Sequence, residues 1–268
     1  MSSTKLPKLP RVAASDNPWG VALVDLRPIT LGMMSATSDP KVAQTFAELC
    51  GSDGLEFVDA ARSVARTGTL PVALSVEGPV ADGILFSPTE MEDKWALFLH
   101  QGMLIGVRSW SADIGFVADV VHEDGALVAR SYGGALFQGE APERGARLLE
   151  WLVRTLGLRE ALPLPLSTTT PPKGSSLGIV CMSEWGRAAQ LATHEPIVYP
   201  RSARPLRTIS LLHIAAARGD IEAGADPMEG RRGCVSHPAL RPAPAPQGEP
   251  LSSCQVGRWS ARRCREFA

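Results

Sequence analysis

Few side chains in this sequence are equipped for proton transfer. Of its five histidines, His100 and His122 close short apolar runs, within reach of Asp93, Asp119 or Glu123. An imidazole beside a carboxylate is the elementary general acid–base pair, and these residues are the material for one. A histidine at a strand end is more often a half-buried structural residue, so no catalytic residue is assigned. Cys234-x2-His237, with Cys254 and Cys264, offers four donors of the kind zinc prefers. The intervening gaps of 16 and nine residues do not follow the paired spacing of zinc modules, so neither a metal site nor a cofactor is assigned. Tyr132-Gly133-Gly134 lacks the further Gly, Lys and Ser or Thr of a phosphate loop. No Gly-x-Ser-x-Gly elbow, His-Glu-x-x-His or EF-hand pattern occurs. Recognition is better served than catalysis, because Trp95, Arg108 and Trp110 are residue types favoured as interface anchors.

Composition frames what can position these residues. The chain has 268 residues, 44% hydrophobic and 21% charged, enough apolar material for a sizeable core. The net charge of -1 excludes a uniformly basic nucleic-acid binder. Charge is unevenly placed, however. Residues 231–268 hold seven Arg and two Glu, a net +5, which leaves -6 on the first 230 residues. Such a tail can touch polyanions only non-specifically, with no specific nucleic acid implied. Met1–Gly20 contains no apolar run of signal-peptide length, and no stretch of about 18 apolar residues suggests a membrane span. Five cysteines, three of them in the tail, do not make a disulfide framework. A soluble, cytoplasmic protein is the expectation.

Hydrophobic periodicity gives an α+β body over residues 19–160, after a Ser-, Pro- and Lys-rich segment 1–18 expected to be disordered. Gly20–Leu26 reads as a short strand. Asp39-Pro40 opens a helix, Asp as N-cap and Pro in the first turn. A second helix is expected from Leu55 to about Arg66. Between 71 and 136 the runs 72–76, 83–87, 94–100, 102–110, 115–122 and 126–132 are short, apolar and broken by turn residues. Gln101-Gly102 and Glu123-Asp124-Gly125 are hairpin breaks. These predict an antiparallel meander of about four to six strands. Residues 140–158 form the clearest helix, with Pro142 in the first turn and Leu148, Leu149, Leu152, Val153 and Leu156 on one face to cover the sheet. Residues 161–205 read as a Pro-rich connector with a short helix over 182–192.

Two resemblances complete the reading. Glu92-Asp93-Lys94-Trp95 followed by Arg108-Ser109-Trp110 is similar to a poorly characterised bacterial pattern, spanning about residues 70–155, that implies no particular activity. Physically, the tryptophans fit core or rim positions of a hairpin, with Asp93, Lys94 and Arg108 as cross-strand polar pairs. The other reading makes Arg108, Ser109 and Trp110 a binding surface. Residues 210–227 resemble an ankyrin repeat. Ser210-Leu211-Leu212-His213 matches the tetrapeptide that opens the family's first helix. Ala215, Ala216 and Gly219 match its small packing residues, and Ala223-Gly224-Ala225-Asp226 matches its exit loop. About seven residues of the second helix are missing, and stacked repeats are needed for a continuous core. A truncated repeat over 206–228, as one helix docked on the α+β body or a frayed segment, is therefore expected rather than an ankyrin domain.

Residues 229–268 are Arg-, Pro-, Ala-, Ser- and Cys-rich without periodicity. This is the composition of a high-GC coding region read out of frame, and the chain is expected to be a truncated or frameshifted ankyrin-repeat relative. The alternative is a native disordered basic tail. The ankyrin resemblance implies a protein–protein interaction or scaffold role with a protein partner. The competing expectation is that the α+β body is a small enzyme or a toxin-neutralising, immunity-like module.

Overall fold

The structure, a computed structural model, describes residues 7–167 and 174–209. Residues 1–6 of the expected disordered start, the ankyrin-like stretch and the basic tail lie outside the described residues. All the described residues fall within one compact unit.

The central feature is the expected antiparallel sheet, at the upper end of the expected strand number. Its strands are β3 (Val72–Ser75), β4 (Gly83–Phe86), β5 (Trp95–His100), β6 (Met103–Arg108), β7 (Ile114–Glu123) and β8 (Ala126–Gly133), in the order β3-β8-β7-β6-β5-β4. Two-residue turns set the register. Gln101 and Gly102 both have positive φ, as do Asp124 and Gly125, which is the backbone of the hairpin turn whose twist matches the strands. His100 therefore pairs with Met103, and Glu123 with Ala126.

Both faces of the sheet's centre are buried, which is why β5 and β6 read as apolar runs rather than as alternations. Leu97, Leu99, Leu104, Phe116 and Ala118 point to one side and pack with Leu148, Leu149 and Leu152 of α4 (Pro142–Gly157). Phe98, Ile105, Val107 and Val117 point to the other side. There they meet Leu49 of α2 (Pro40–Cys50), and Val58 and Ala61 of α3 (Val58–Arg62). Asp39 caps α2 as its sequence predicts, accepting the Lys41 N–H at 2.9 Å. The helix expected over 55–66 is shorter. A 3-10 turn, Leu55–Phe57, leads into α3, which stops at Arg62. There the Ser63 hydroxyl takes the Ala60 carbonyl and the Arg66 guanidinium takes those of Ala61 and Val64, which ends the ladder.

A second sheet differs from the sequence reading. β1 (Arg11–Val12), β2 (Leu23–Asp25), β9 (Pro163–Pro165) and β10 (Leu191–Thr193) pair in the order β1-β2-β10-β9, with β10 antiparallel to β2 and parallel to β9. Segment 7–18 thus contributes a strand, and the stretch expected to be a connector contributes two strands and α5 (Ser175–Trp185). The prolines misled because an edge strand tolerates them, and β9 is an edge. The short helix lies seven residues earlier than expected at each end. Gly186, at φ +62°, stops it, and a 3-10 turn, Gly186–Ala188, leads on toward β10. A one-turn helix, α1 (Arg27–Thr30), packs on α5, with the Ile29 side chain against Gly178.

Candidate functional site

Trp95 opens β5 and Arg108 closes β6, and the hairpin register sets them directly opposite each other. The loop before Trp95 is wrapped by Asp93, whose carboxylate accepts from the Thr89 N–H (2.9 Å), the Thr89 hydroxyl (3.2 Å) and the Glu90 N–H (3.4 Å). Glu92, buried, accepts the Ser35 N–H at 2.6 Å. Lys94 is also buried. Its ammonium donates to the Met91 carbonyl (2.7 Å) and the Ser35 hydroxyl (3.0 Å), and lies 3.8 Å above the Trp110 ring. Burial, and then the nearby Arg108 charge, push the Lys94 ammonium down to about 8, against the opposing pull of Glu92 and Asp93. A lysine poised there is a nucleophile or base by type, but this one is enclosed by a hydroxyl, a carbonyl and an indole.

The rest of the motif points toward α5. The Trp95 indole N–H donates to the Glu184 carbonyl at 2.9 Å, and the Arg108 guanidinium donates to the carbonyls of Glu184 and of Ser183 (3.1 Å). The last carbonyls of a helix have no partner within it, and a cation there also complements the helix dipole. Trp95 and Arg108 together therefore cap the C-terminus of α5. Arg108 stacks over Trp95 at 4.9 Å, and Trp95 stacks on Trp185 at 5.8 Å. Trp185 meets Trp151 edge-on at 5.2 Å, and the Trp151 N–H reaches the Leu162 carbonyl beside β9. Behind this stack Gly186 passes so close to Glu92 that a Cβ there would sit 1.7 Å from the Glu92 oxygen. The Trp110 indole donates to the Met91 carbonyl at 2.8 Å, and the Ser109 hydroxyl donates to the Asp93 carbonyl at 2.6 Å.

Trp95 and Arg108 thus form one brace that ties the large sheet to α5 and, through Trp185 and Trp151, to the small sheet, while Trp110 packs on the Met91–Lys94 loop beside them in sequence. Trp95 is 3% exposed, whereas Trp110 and Arg108 keep part of their side chains at the surface. Sequence reading missed Trp151, Trp185 and Gly186. Gly186 was the available signal, because a glycine just past an apolar helical run marks the end of the helix.

The other chemical residues stay apart. His100 is buried with Nε2 at 2.7 Å from the Asp53 carbonyl and Nδ1 at 4.0 Å from Asp82. His122 accepts the Val80 N–H, and Asp119 accepts from Arg66 (2.9 Å) and the Ser131 hydroxyl (2.6 Å). Each is committed to a separate partner. Among the described residues no group of three or more His, Cys, Asp or Glu is placed to hold a metal ion. Nor is any helix among them long and apolar enough to cross a membrane. Cys234, His237, Cys254 and Cys264 lie outside the described residues, as do Leu212, His213, Ala215, Ala216, Gly219, Gly224 and Asp226 of the ankyrin-like motif.

No protein-family model, no curated protein and no solved structure matches this chain.

Proposed function

We propose that the chain is a protein-binding or scaffold module whose α+β body presents the ankyrin-like stretch 210–227 to a protein partner. The observation that carries this reading is the seating of the residues just before that stretch. Leu206 and Ile209 each donate a backbone hydrogen bond to the large sheet, which supports the reading that the body itself carries the stretch that follows. Arg108, which donates to the carbonyl of exposed Ser183, and Trp110, on the Met91–Lys94 loop, are both partly exposed. They supply a second contact of the aromatic-plus-arginine type that dominates interfaces.

Affinity capture followed by titration against the captured protein tests this reading. Binding by the full chain is expected to be lost on deleting 210–227, and weakened about tenfold by Trp110→Ala. Equal affinity in the deletion variant would remove the basis of the proposal.

A further inference from the structure

β3 and β4 are consecutive in sequence yet occupy opposite edges of the six-stranded sheet. An open sheet leaves a row of unpaired backbone groups at each edge. Here one short segment serves both. Leu206 donates its N–H to the Ser75 carbonyl (2.9 Å) and bridges Val76 in parallel. Three residues on, Ile209 donates to the Ile84 carbonyl (2.7 Å) and bridges that strand antiparallel. The sheet curls until four residues span the gap between its edges.

The means by which this segment is held are sparse. The Leu206 side chain is 1% exposed and is wedged so near α4 that a Cβ on Gly157 would come within 2.8 Å of it. Beyond that one anchor, Thr208 is half-buried and Arg207 and Ile209 are exposed. Ile209 is 39% exposed, and the pair between Arg207 and Glu77 has side chains 67% and 61% exposed, a contact of little worth in water. A cavity of about 270 Å³ separates Leu206–Thr208 from the Gly78–Ala81 loop. By contrast β6 and β7 pair along the whole of β6 up to Val107, with one register shift after Gly106, and have cores on both faces. Segments with one buried side chain and solvent-facing hydrogen bonds open before the rest of a fold does.

We infer that Leu206–Ile209 is a detachable clasp. When it is seated, the β3 and β4 edges are closed; when it is released as a unit, the seam opens while β5–β8 stay paired. Any partner that binds or draws on the residues after Ile209 therefore acts on the sheet edges through these four residues. The inference does not depend on the ankyrin-like reading, because it concerns the clasp alone.

Residue-resolved hydrogen exchange on the full chain tests it from both ends. Ile209→Pro deletes the N–H given to Ile84 without touching a buried side chain, and is expected to raise exchange of the Leu206 amide at least about tenfold. Leu206→Ala is expected to do the same to the Ile209 amide, with β6 and β7 unchanged in both variants. If each substitution leaves the far end's amide as protected as before, the segment is not one unit and the inference fails. It fails equally if β6 and β7 accelerate by the same factor, since the segment then opens only with the whole fold. The proline variant decides the matter alone should Leu206→Ala not fold.

Discussion

Both sheets contribute fully buried side chains to the core, and they are built in opposite ways. The six-stranded sheet runs through one continuous stretch of chain, each strand next to its sequence neighbour except at the β3–β4 gap. The four-stranded sheet collects two- and three-residue strands from positions 11, 23, 163 and 191. Yet Leu23, Leu164 and Ala192 are as buried as Leu97, Leu104 and Phe116. The difference lies in where the pairing information resides. In the large sheet it is local, in turns and periodicity; in the small sheet it comes from packing against α4, α5 and the tryptophan stack.

Trp151 belongs to both regions, so its loss gives the largest expected effect. It is 0% exposed, packs on Trp185 and donates to the Leu162 carbonyl. Trp151→Ala is expected to cost about 3–5 kcal/mol in denaturant unfolding, in a single transition. Two separated transitions would mean that the sheets do not share a core.

Next comes Lys94, the buried cation of the Met91–Lys94 loop. Its ammonium sits near 8 when folded against an ordinary value of 10.5, so the folded chain releases this proton at lower pH than the unfolded chain. Stability from this group therefore rises between about pH 8 and 10.5, by as much as about 3 kcal/mol. Burial pushes the Cys181 thiol the other way, up to about 12, and that lowers stability above about pH 9. The thiol is common to wild type and Lys94→Met, so subtracting their pH–stability curves isolates the lysine. The difference should grow in favour of wild type across that window, and parallel curves would show that Lys94 is not desolvated. The smallest effect is local to α2, where Asp39→Ala removes a cap to the Lys41 N–H at an expected cost of about 1 kcal/mol in thermal or denaturant unfolding.

Particular residues show what the sequence could and could not reveal. Gln101-Gly102 and Asp124-Gly125 announce their hairpins, Asp39-Pro40 announces α2, and Pro142 with its leucine face announces α4, because these signals are read within a few residues. Pro163–Pro165 and Leu191–Thr193 are too short for any period to emerge, and prolines advertise a linker when the strand is an edge. Trp95, Arg108 and Trp110 stand out by type, but their partners are main-chain carbonyls of Met91, Ser183 and Glu184, which no side-chain pattern reveals. Leu206 looks like any leucine after a proline; only the curl of the sheet makes it the plug of a seam.

The small sheet and the tryptophan brace share one core with the large sheet and unfold with it, whereas the clasp opens separately. Equilibrium unfolding of residues 7–160 against residues 7–209 tests it most directly. The longer chain should unfold in one cooperative transition and the shorter one in none, since the shorter lacks β9, β10 and α5. A chain ending at 160 that unfolds cooperatively at the same midpoint would show that the large sheet stands without the small one.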